Sequence, residues 1–299
     1  MSESTLYQFK ALAVLCALAL FALILGWKLG GGTGLAIAAA LLLFGIFAAY
    51  FRADKRVLRT HGALKIDESS TPGLCQMVRE LARRTNLPVP SMYLLPDQAA
   101  NAFATGRNVR HGAVVVSTGL LDLLDREELA AVIAHEFGHL RRGDTLPMTV
   151  LAAFAGIFTS ISNFFTWSNL LGISTSKVEK RDGVPSDAFF WILIAPIAAL
   201  LIRLATSGSR EYCADEHSAR LIGDSSPLAS ALLKIDAQKS RTCLESASPA
   251  SAHLFICSPL SAKGSMRLFQ THPPVTKRIE KLEAFARRPA VPSSWVGVL

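Results

Sequence analysis

The sequence predicts an integral membrane protein of the α+β class, mainly α-helical, with about four transmembrane helices. Two observations carry this prediction. The mean hydropathy of the 299 residues is +0.34 and only 18% of them are charged, which is unusually apolar for a water-soluble protein. Four stretches contain no charged residue, and about 20 residues suffice for a helix to cross a bilayer. These stretches are residues 11–27, 29–51, 145–176 and 188–202. The fourth is shorter than the roughly 17 residues that a crossing tolerates and is expected to rely on the side chain of Arg203 reaching the interface.

The apolar stretches divide the chain into four segments. Residues 1–51 are expected to form an N-terminal transmembrane hairpin, and residues 146–202 a second one. The water-soluble segments 52–145 and 203–299 flank this second hairpin. Because two crossings return a chain to the side that it left, both soluble segments can face one compartment and fold as a single domain.

The distribution of charge and cysteine indicates which compartment this is. Four basic residues follow the second apolar stretch directly, whereas only Lys28 separates the first two stretches; the four are Arg52, Lys55, Arg56 and Arg59. Basic residues stay on the cytoplasmic side of a membrane, so the soluble segments are predicted to be cytoplasmic. The five cysteines are scattered and form no CxxC pair, which is typical of a reducing compartment. The net charge of +8 is not concentrated in a basic run interleaved with aromatic residues, so nucleic-acid binding is not expected.

The soluble segments contain both helix and strand patterns. Strands are expected at "SMYLL", "NAFATGR" and "GAVVVSTGLL", and the last, rich in valine, is typical of a half-buried or edge strand. Helices are expected within "STPGLCQMVRELARRTNL", "DREELAAVIAHEFGHLRRGD", "SREYCADEHSARLIGD", "PLASALLKIDAQKS" and "THPPVTKRIEKLEAFARR", and the last of these begins with a turn. The second helix has an N-terminal capping box, with Asp125 at the cap and Glu128 three residues later, and Gly143 at its end.

The stretch "HEFGH" carries the first chemical signal. Residues four apart share one face of a helix, so His135 and His139 can bind one metal ion through their imidazole nitrogens. Glu136 lies one step round the helix and can reach a metal-bound water without being a ligand. This is the HExxH arrangement of zinc peptidases, and chance produces it in a chain of this length with a frequency of about one per cent.

A catalytic zinc ion needs a third protein ligand. From the residues alone the candidates include several carboxylates and the histidines His111, His217, His253 and His272. Glu211 in "SREYCAD" is favoured because Asp215, on the same helical face, can accept the spare N–H of a ligating histidine. Cys213 points about 200° away from Glu211 on that helix, so it is not expected to bind the metal. The rival interpretation makes Glu211 a surface residue paired with Arg210 or Arg220.

Several motifs together resemble the HtpX family of membrane-bound zinc metalloproteases. They are "NAFATG", "HEFGHLRRGD", "SREYCAD", "HLFICSPL" and "THPPVTKRI", and the resemblance covers nearly the whole chain. It implies a gluzincin-like protease domain that binds one zinc ion per subunit through His135, His139 and Glu211, with Asp215 in support. It also implies a multi-pass protein of the bacterial inner membrane whose substrates are misfolded or damaged membrane proteins.

Further site residues are expected from the mechanism and from the resemblance. A zinc-activated water would attack the peptide bond with Glu136 as general base. His272 and Arg278 resemble a family element close to the zinc and are candidates for stabilising the oxyanion, although Arg278 could instead form a surface ion pair. Asn101 and Ala102 are expected to bind substrate backbone along an edge strand, the alternative being that they are ordinary turn and strand residues.

Two other classes of protein compete with a protease. A transporter normally places ionisable groups inside its membrane spans, and the first three apolar stretches have none. A zinc-binding membrane scaffold without activity would have no use for a base at position 136. Protein substrates and the lipid bilayer are therefore the expected partners.

Overall fold

The computed structural model describes residues 3–145, 208–239, 256 and 272–287. The third and fourth apolar stretches, apart from Thr145, lie outside the described residues. So do His253 and most of the segment around "HLFICSPL", of which Ile256 is described. The expected hairpin at residues 146–202 and the four-segment division of the chain therefore stay predictions.

Helix α1 (Glu3–Thr60) is interrupted at Gly30 and Gly31, and Gly31 has a φ of 55°. A Cβ atom added to Gly26 would come within 2.6 Å of the Cβ atom of Ala38. In a straight helix those two residues would lie about 18 Å apart, so the two arms of α1 fold back against each other. The second arm continues past Phe51 to Thr60. No helix among the residues described combines the length and apolarity that a membrane crossing needs.

A four-stranded sheet follows, with the order β1-β2-β4-β3. The strands are β1 (Leu64–Lys65), β2 (Ser91–Leu95), β3 (Ala102–Gly106) and β4 (Gly112–Ser117). Strand β4 pairs parallel to β2 and antiparallel to β3, with Phe103 opposite Val115. The three strands expected from the sequence are confirmed, except that the strand expected at "GAVVVSTGLL" ends at Ser117 and its last four residues begin a helix. Strand β3 lies at one edge of the sheet.

The prediction that the valine-rich strand is half-buried or at an edge is wrong, because β4 is central and all six of its residues are buried. Its alternating side chains enter two cores. Val114 and Val116 face a large core that contains Phe137 of the HExxH helix. Val115 faces a second core, in which Val57 and Leu58 from the end of α1 cover the other side of the sheet. The C-terminal end of α1 thus supplies the second layer that the strand pattern could not reveal.

Helix α4 (Arg126–Arg142) begins with the expected capping box of Asp125 and Glu128 and ends at Gly143, whose φ is 71°. The other helices are α2 (Pro72–Thr85), α3 (Thr118–Leu123), α5 (Gly208–Ile222), α6 (Ser226–Lys239) and α7 (Val275–Ala286), and a short 3-10 turn spans Val109–His111. These positions confirm the predicted helices. The mainly helical α+β class is also confirmed.

A buried carboxylate links helix α4 to its neighbour α6. The side chain of Glu128 accepts hydrogen bonds from Ser230 at 2.6 Å and from Lys234 at 2.7 Å, both on α6. The same carboxylate also accepts the backbone N–H of Asp125 to complete the cap. One residue therefore starts the helix and anchors it to its neighbour.

Candidate metal centre and active site

Helices α4 and α5 bring three potential metal ligands together. The Nε2 atoms of His135 and His139 lie 3.2 Å apart. The carboxylate of Glu211, in the first turn of α5, has one oxygen 3.7 Å from the first of these atoms and one 3.6 Å from the second. Donors that bind zinc tetrahedrally at about 2.0–2.1 Å lie roughly 3.3 Å from one another. All three side chains are buried, and their spacing fits one zinc ion.

The orientation of the two imidazole rings supports the same fit. Oδ1 of Asp215 lies 2.9 Å from Nδ1 of His135, and Oδ2 of Asp144 lies 3.3 Å from Nδ1 of His139. Carboxylates at these positions keep the protons on Nδ1. Both Nε2 atoms then direct lone pairs toward each other and toward a carboxylate in a buried space. A cation between them removes that repulsion.

The two helices can approach this closely because residue 138 is glycine. A Cβ atom added to Gly138 would come 3.0 Å from the Cα atom of Ala214 and 3.3 Å from the Cβ atom of His217. The glycine of "HEFGH" therefore lies at the contact between α4 and α5. It sets the distance between the histidines and Glu211.

Glu136 lies beside these ligands and is almost fully buried. Burial, with a contribution from the negative charge of Glu211, raises the pKa of Glu136 to about 7, against the lowering effects of His139 and of a hydrogen bond from the backbone N–H of Ala104. A carboxylate with a pKa close to neutral can both take up and release a proton at neutral pH. This is the property that a general base requires.

Arg278 of α7 is completely buried behind the ligands. Its Nε and Nη2 atoms donate to the two oxygens of Asp215 at 2.9 and 2.6 Å, and its Nη1 atom donates to the backbone oxygen of Ile256 at 2.9 Å. Burial alone would raise the pKa of Asp215, but the charge of Arg278 and the hydrogen bond from His135 outweigh it and lower that pKa. The rival interpretation of Arg278 as a surface ion pair is therefore wrong. It reaches His135 both through Asp215 and directly, with Nη2 3.4 Å from Nδ1 of His135, and its Nη1 atom lies 3.6 Å from Oε2 of Glu211.

His272 lies on the other side of Glu211. Its Nδ1 atom is 3.1 Å from Oε2 of Glu211. Burial by itself would raise the pKa of Glu211, yet the charges of His272, His139 and Arg278 leave this pKa well below its ordinary value. Among the described residues, no hydrogen-bond partner reaches Nε2 of His272. The expected closeness of His272 to the metal site is thus seen, and its oxyanion role stays a prediction.

Asn101 and Ala102 lie at the start of the edge strand β3, and both are buried. The backbone N–H of Ile256 donates to the carbonyl oxygen of Ala102 at 3.0 Å and to Oδ1 of Asn101 at 3.1 Å. Ile256 of the same chain therefore occupies the two acceptor oxygens that were expected to bind the substrate backbone. Two residues farther along β3, the N–H of Ala104 is engaged by Glu136.

Among the described residues, the candidates His111, His217 and Cys213 do not join the cluster. His111 contacts Asn108 at the exposed end of the 3-10 turn. His217 packs beside Gly138, and burial lowers its pKa to about 4. Cys213 is half-buried and is not part of the group of ligands found among the described residues. Sequence reasoning missed Asp144 and Ile256, although both lie within motifs that it had singled out.

Two imidazoles and a carboxylate converging beside a buried glutamate of near-neutral pKa define a metallopeptidase site. The sequence comparisons agree with the geometry, since residues 68–286 match the family model of peptidase family M48. The chain belongs to this family.

Relatives named Protease HtpX homolog align with almost the entire chain. The one from Pelotomaculum thermopropionicum is 41% identical over 282 residues, which cover 93% of this chain and 98% of the relative. The one from Thermodesulfovibrio yellowstonii is 40% identical over 283 residues, with coverage of 95% and 100%. The one from Pyrococcus furiosus is 42% identical over 263 residues, with coverage of 88% and 90%. The resemblance to HtpX proteases is thereby confirmed.

A solved structure is also similar. The crystal structure of S. mikatae Ste24p aligns with a TM-score of 0.48 and 18% sequence identity. The alignment covers 94% of this chain and 65% of that one.

Proposed function

We propose that this metallopeptidase is a zinc-dependent endopeptidase anchored in a membrane, with one zinc ion held by His135, His139 and Glu211. The observation that carries the proposal is the spacing of 3.2 to 3.7 Å between the three donor groups, with Glu136 beside them. Zinc at this position would acidify a water molecule and polarise the peptide carbonyl.

The residues of the chain account for the remaining chemistry. Glu136 takes the proton from the attacking water and then delivers it to the nitrogen of the leaving amine. His272 is the better candidate for contacting the developing oxyanion, because the guanidinium donors of Arg278 bond to Asp215 and Ile256. Arg278 instead supports His135 through Asp215.

The substrate backbone is proposed to pair with the edge strand β3, as expected for Asn101 and Ala102. The N–H of Ile256 donates to Oδ1 of Asn101 and to the carbonyl oxygen of Ala102. A backbone N–H of the substrate would be accepted at the same position. A substrate that binds both residues in this way has to replace Ile256 there. Recognition through the main chain tolerates many sequences, which suits the removal of misfolded or damaged membrane proteins.

The membrane placement rests on helix α1. Its surface exposes large apolar side chains along both arms, and extended apolar surfaces of this kind mark contacts with lipid or with other proteins. They are Leu20, Ile24, Trp27, Ile37, Leu41, Leu43, Phe44, Phe47 and Phe51. None of the described helices, α1 included, has the length and apolarity of a membrane crossing, so the proposed placement of residues 1–51 in the bacterial inner membrane, with the protease domain in the cytoplasm, rests on these exposed side chains and on the charge-free stretches of the sequence. Residues 146–202 would bring the number of crossings to about four.

The metal site also supports the proposal that the two soluble segments form one domain. His135 and His139 come from segment 52–145, whereas Glu211 comes from segment 203–299. Ligands of a single ion have to lie on the same side of a membrane. An even number of crossings between residues 145 and 203 meets this condition.

The test is the replacement Glu136→Gln in the full chain, purified in detergent. Cleavage of an unfolded protein such as casein should fall by at least about a thousandfold, the upper part of the contribution of a positioned acid–base group. The zinc content should not change, because Glu136 is not a ligand. Glu127→Gln, an exposed change on the same helix, is the matched control and should retain full activity. Unchanged cleavage by Glu136→Gln contradicts the mechanism, and zinc-loaded wild-type protein without peptidase activity favours the scaffold alternative.

A further inference from the structure

Asp144 lies just beyond the C-terminal end of the HExxH helix and turns back onto it. The left-handed backbone of Gly143 reverses the chain, and the N–H of Asp144 then donates to the carbonyl oxygen of His139 at 3.1 Å. The carboxylate of Asp144 comes to lie 3.3 Å from Nδ1 of His139. It is mostly buried, with 11% of its side chain exposed.

The same carboxylate reaches the helix that carries the third ligand. Oδ2 of Asp144 lies 3.5 Å from Nε of Arg210, a buried residue that directly precedes Glu211. Arg142 is a more exposed neighbour at 3.7 Å. Asp144 and Arg210 stand 66 positions apart in the chain (210 − 144), on either side of the second apolar pair. Their contact therefore joins the end of α4 to the start of α5.

We propose that Asp144 is a positioning residue for the metal site that acts on two ligands at once. It fixes the ring of His139 directly, by accepting the Nδ1 proton. It fixes Glu211 indirectly, by holding Arg210 at the first turn of α5. The inference deepens the proposed function and rests on its ligand set of His135, His139 and Glu211.

Two physical arguments support this role. The first is that His135 has the same type of support, since Asp215 contacts its Nδ1 atom at 2.9 Å, and an imidazole ligand is generally held by such an acceptor. The second is that a negative charge at the C-terminal end of a helix is disfavoured by the helix dipole. Helix capping therefore does not explain an aspartate at this position, whereas the contacts with His139 and Arg210 do.

The experiment measures zinc affinity by competition with a chromophoric chelator, using the full-length chain in detergent. Asp144→Ala should weaken zinc binding about 10- to 100-fold, the usual effect of losing such a partner. Asp144→Asn should weaken it less, because the amide oxygen can still accept the Nδ1 proton while the charge facing Arg210 is lost. Glu216→Ala removes a half-buried carboxylate that pairs with Arg220 on α5, and this control should bind zinc like the wild type.

A second measurement distinguishes a positioning role of Asp144 from a general effect on the stability of the protein. The visible spectrum of the cobalt-substituted protein reports ligand geometry, so Asp144→Ala should shift its bands whereas Glu216→Ala should not. Combining Asp144→Ala with Arg210→Met should cost less affinity than the sum of the single changes, because the two residues form one contact.

Wild-type zinc affinity together with a wild-type cobalt spectrum in Asp144→Ala overturns the inference, whatever happens to the melting temperature. If Asp144→Ala does not fold, the zinc affinity of Asp144→Asn is used instead. A wild-type zinc affinity in Asp144→Asn then overturns the inference as well. Glu211→Ala is measured in parallel. Loss of zinc in Glu211→Ala with no effect at Asp144 refutes only this inference, whereas wild-type zinc binding by Glu211→Ala refutes the proposed ligand set.

Discussion

Nδ1 of His135 lies 2.9 Å from Oδ1 of Asp215, although the two residues belong to different helices on either side of the second apolar pair. The same carboxylate is held by two hydrogen bonds from Arg278. Arg278, Asp215 and His135 thus form a buried series of contacts that links α7, α5 and α4. Three helices must be assembled before the first histidine has its final orientation.

Replacing Arg278 tests this chain of contacts. Arg278→Met leaves Asp215 buried without its guanidinium partner, and breaking a buried ion pair in this way costs about 3–5 kcal/mol in the free energy of unfolding. Arg278→Lys should recover little of this, because a single ammonium group cannot reproduce the two-point contact. Chemical denaturation of the metal-free protein measures the effect.

Arg220→Met provides the matched comparison. It removes an ion pair with Glu216, in which the arginine side chain is 64% exposed, together with a contact over the ring of Phe285. Such surface pairs contribute about 1 kcal/mol or less. If Arg278→Met and Arg220→Met lost the same free energy of unfolding, the buried contacts of Arg278 would stabilise the protein no more than a surface ion pair does.

The close crossing of α4 and α5 gives a second prediction. Gly138→Leu places a side chain where even a Cβ atom meets Ala214 at 3.0 Å, so α5 has to move away and take Glu211 with it. Overpacking of this kind costs about 1–3 kcal/mol, and zinc affinity should fall at least about tenfold, as each 1.4 kcal/mol of lost binding predicts. Chelator competition measures it.

Gly73→Leu is the control for this change, since no atom lies within 4 Å of a Cβ atom added at Gly73 in α2. It should leave zinc affinity at the wild-type value. Wild-type affinity in Gly138→Leu would mean that the spacing of the two helices does not set the metal site.

Glu136 gives a prediction about pH. Its pKa is raised from 4.5 to about 7 in the folded protein, so its protonated form favours folding. This contribution is fully present below pH 4.5 and is lost as the pH rises through 7. The wild-type metal-free protein should therefore lose about 3 kcal/mol relative to Glu136→Gln between pH 4.5 and 8. Urea denaturation of both proteins across this range measures the difference, and a difference that does not vary with pH contradicts the buried, raised pKa.

Local signals made much of the site predictable from sequence. The capping box of Asp125 and Glu128 and the glycine at position 143 mark both ends of α4, because caps depend on residues a few positions apart. The spacing of His135 and His139 then fixes their common face. Glu211 was favoured over several other candidates because Asp215 shares its helical face, and the family resemblance strengthened that choice.

The features that sequence reasoning missed depend on contacts between distant segments. The pattern of β4 predicted one exposed face, but Val57 and Leu58 of α1 cover that face. The sequence around Arg278 was consistent both with a residue of the metal site and with a surface residue, because nothing near it in the chain indicates that Asp215 will be its partner. Ile256 meets Asn101 and Ala102 only after the sheet and α7 are assembled.

The central claim is that Glu211 completes a zinc site with the two histidines of α4, and the most direct measurement is the zinc content of purified Glu211→Ala beside that of Cys213→Ala. Elemental analysis after equilibration with a weak chelator should find close to one zinc ion per chain in the wild type and in Cys213→Ala, and little or none in Glu211→Ala. A full complement of zinc in Glu211→Ala would contradict the account.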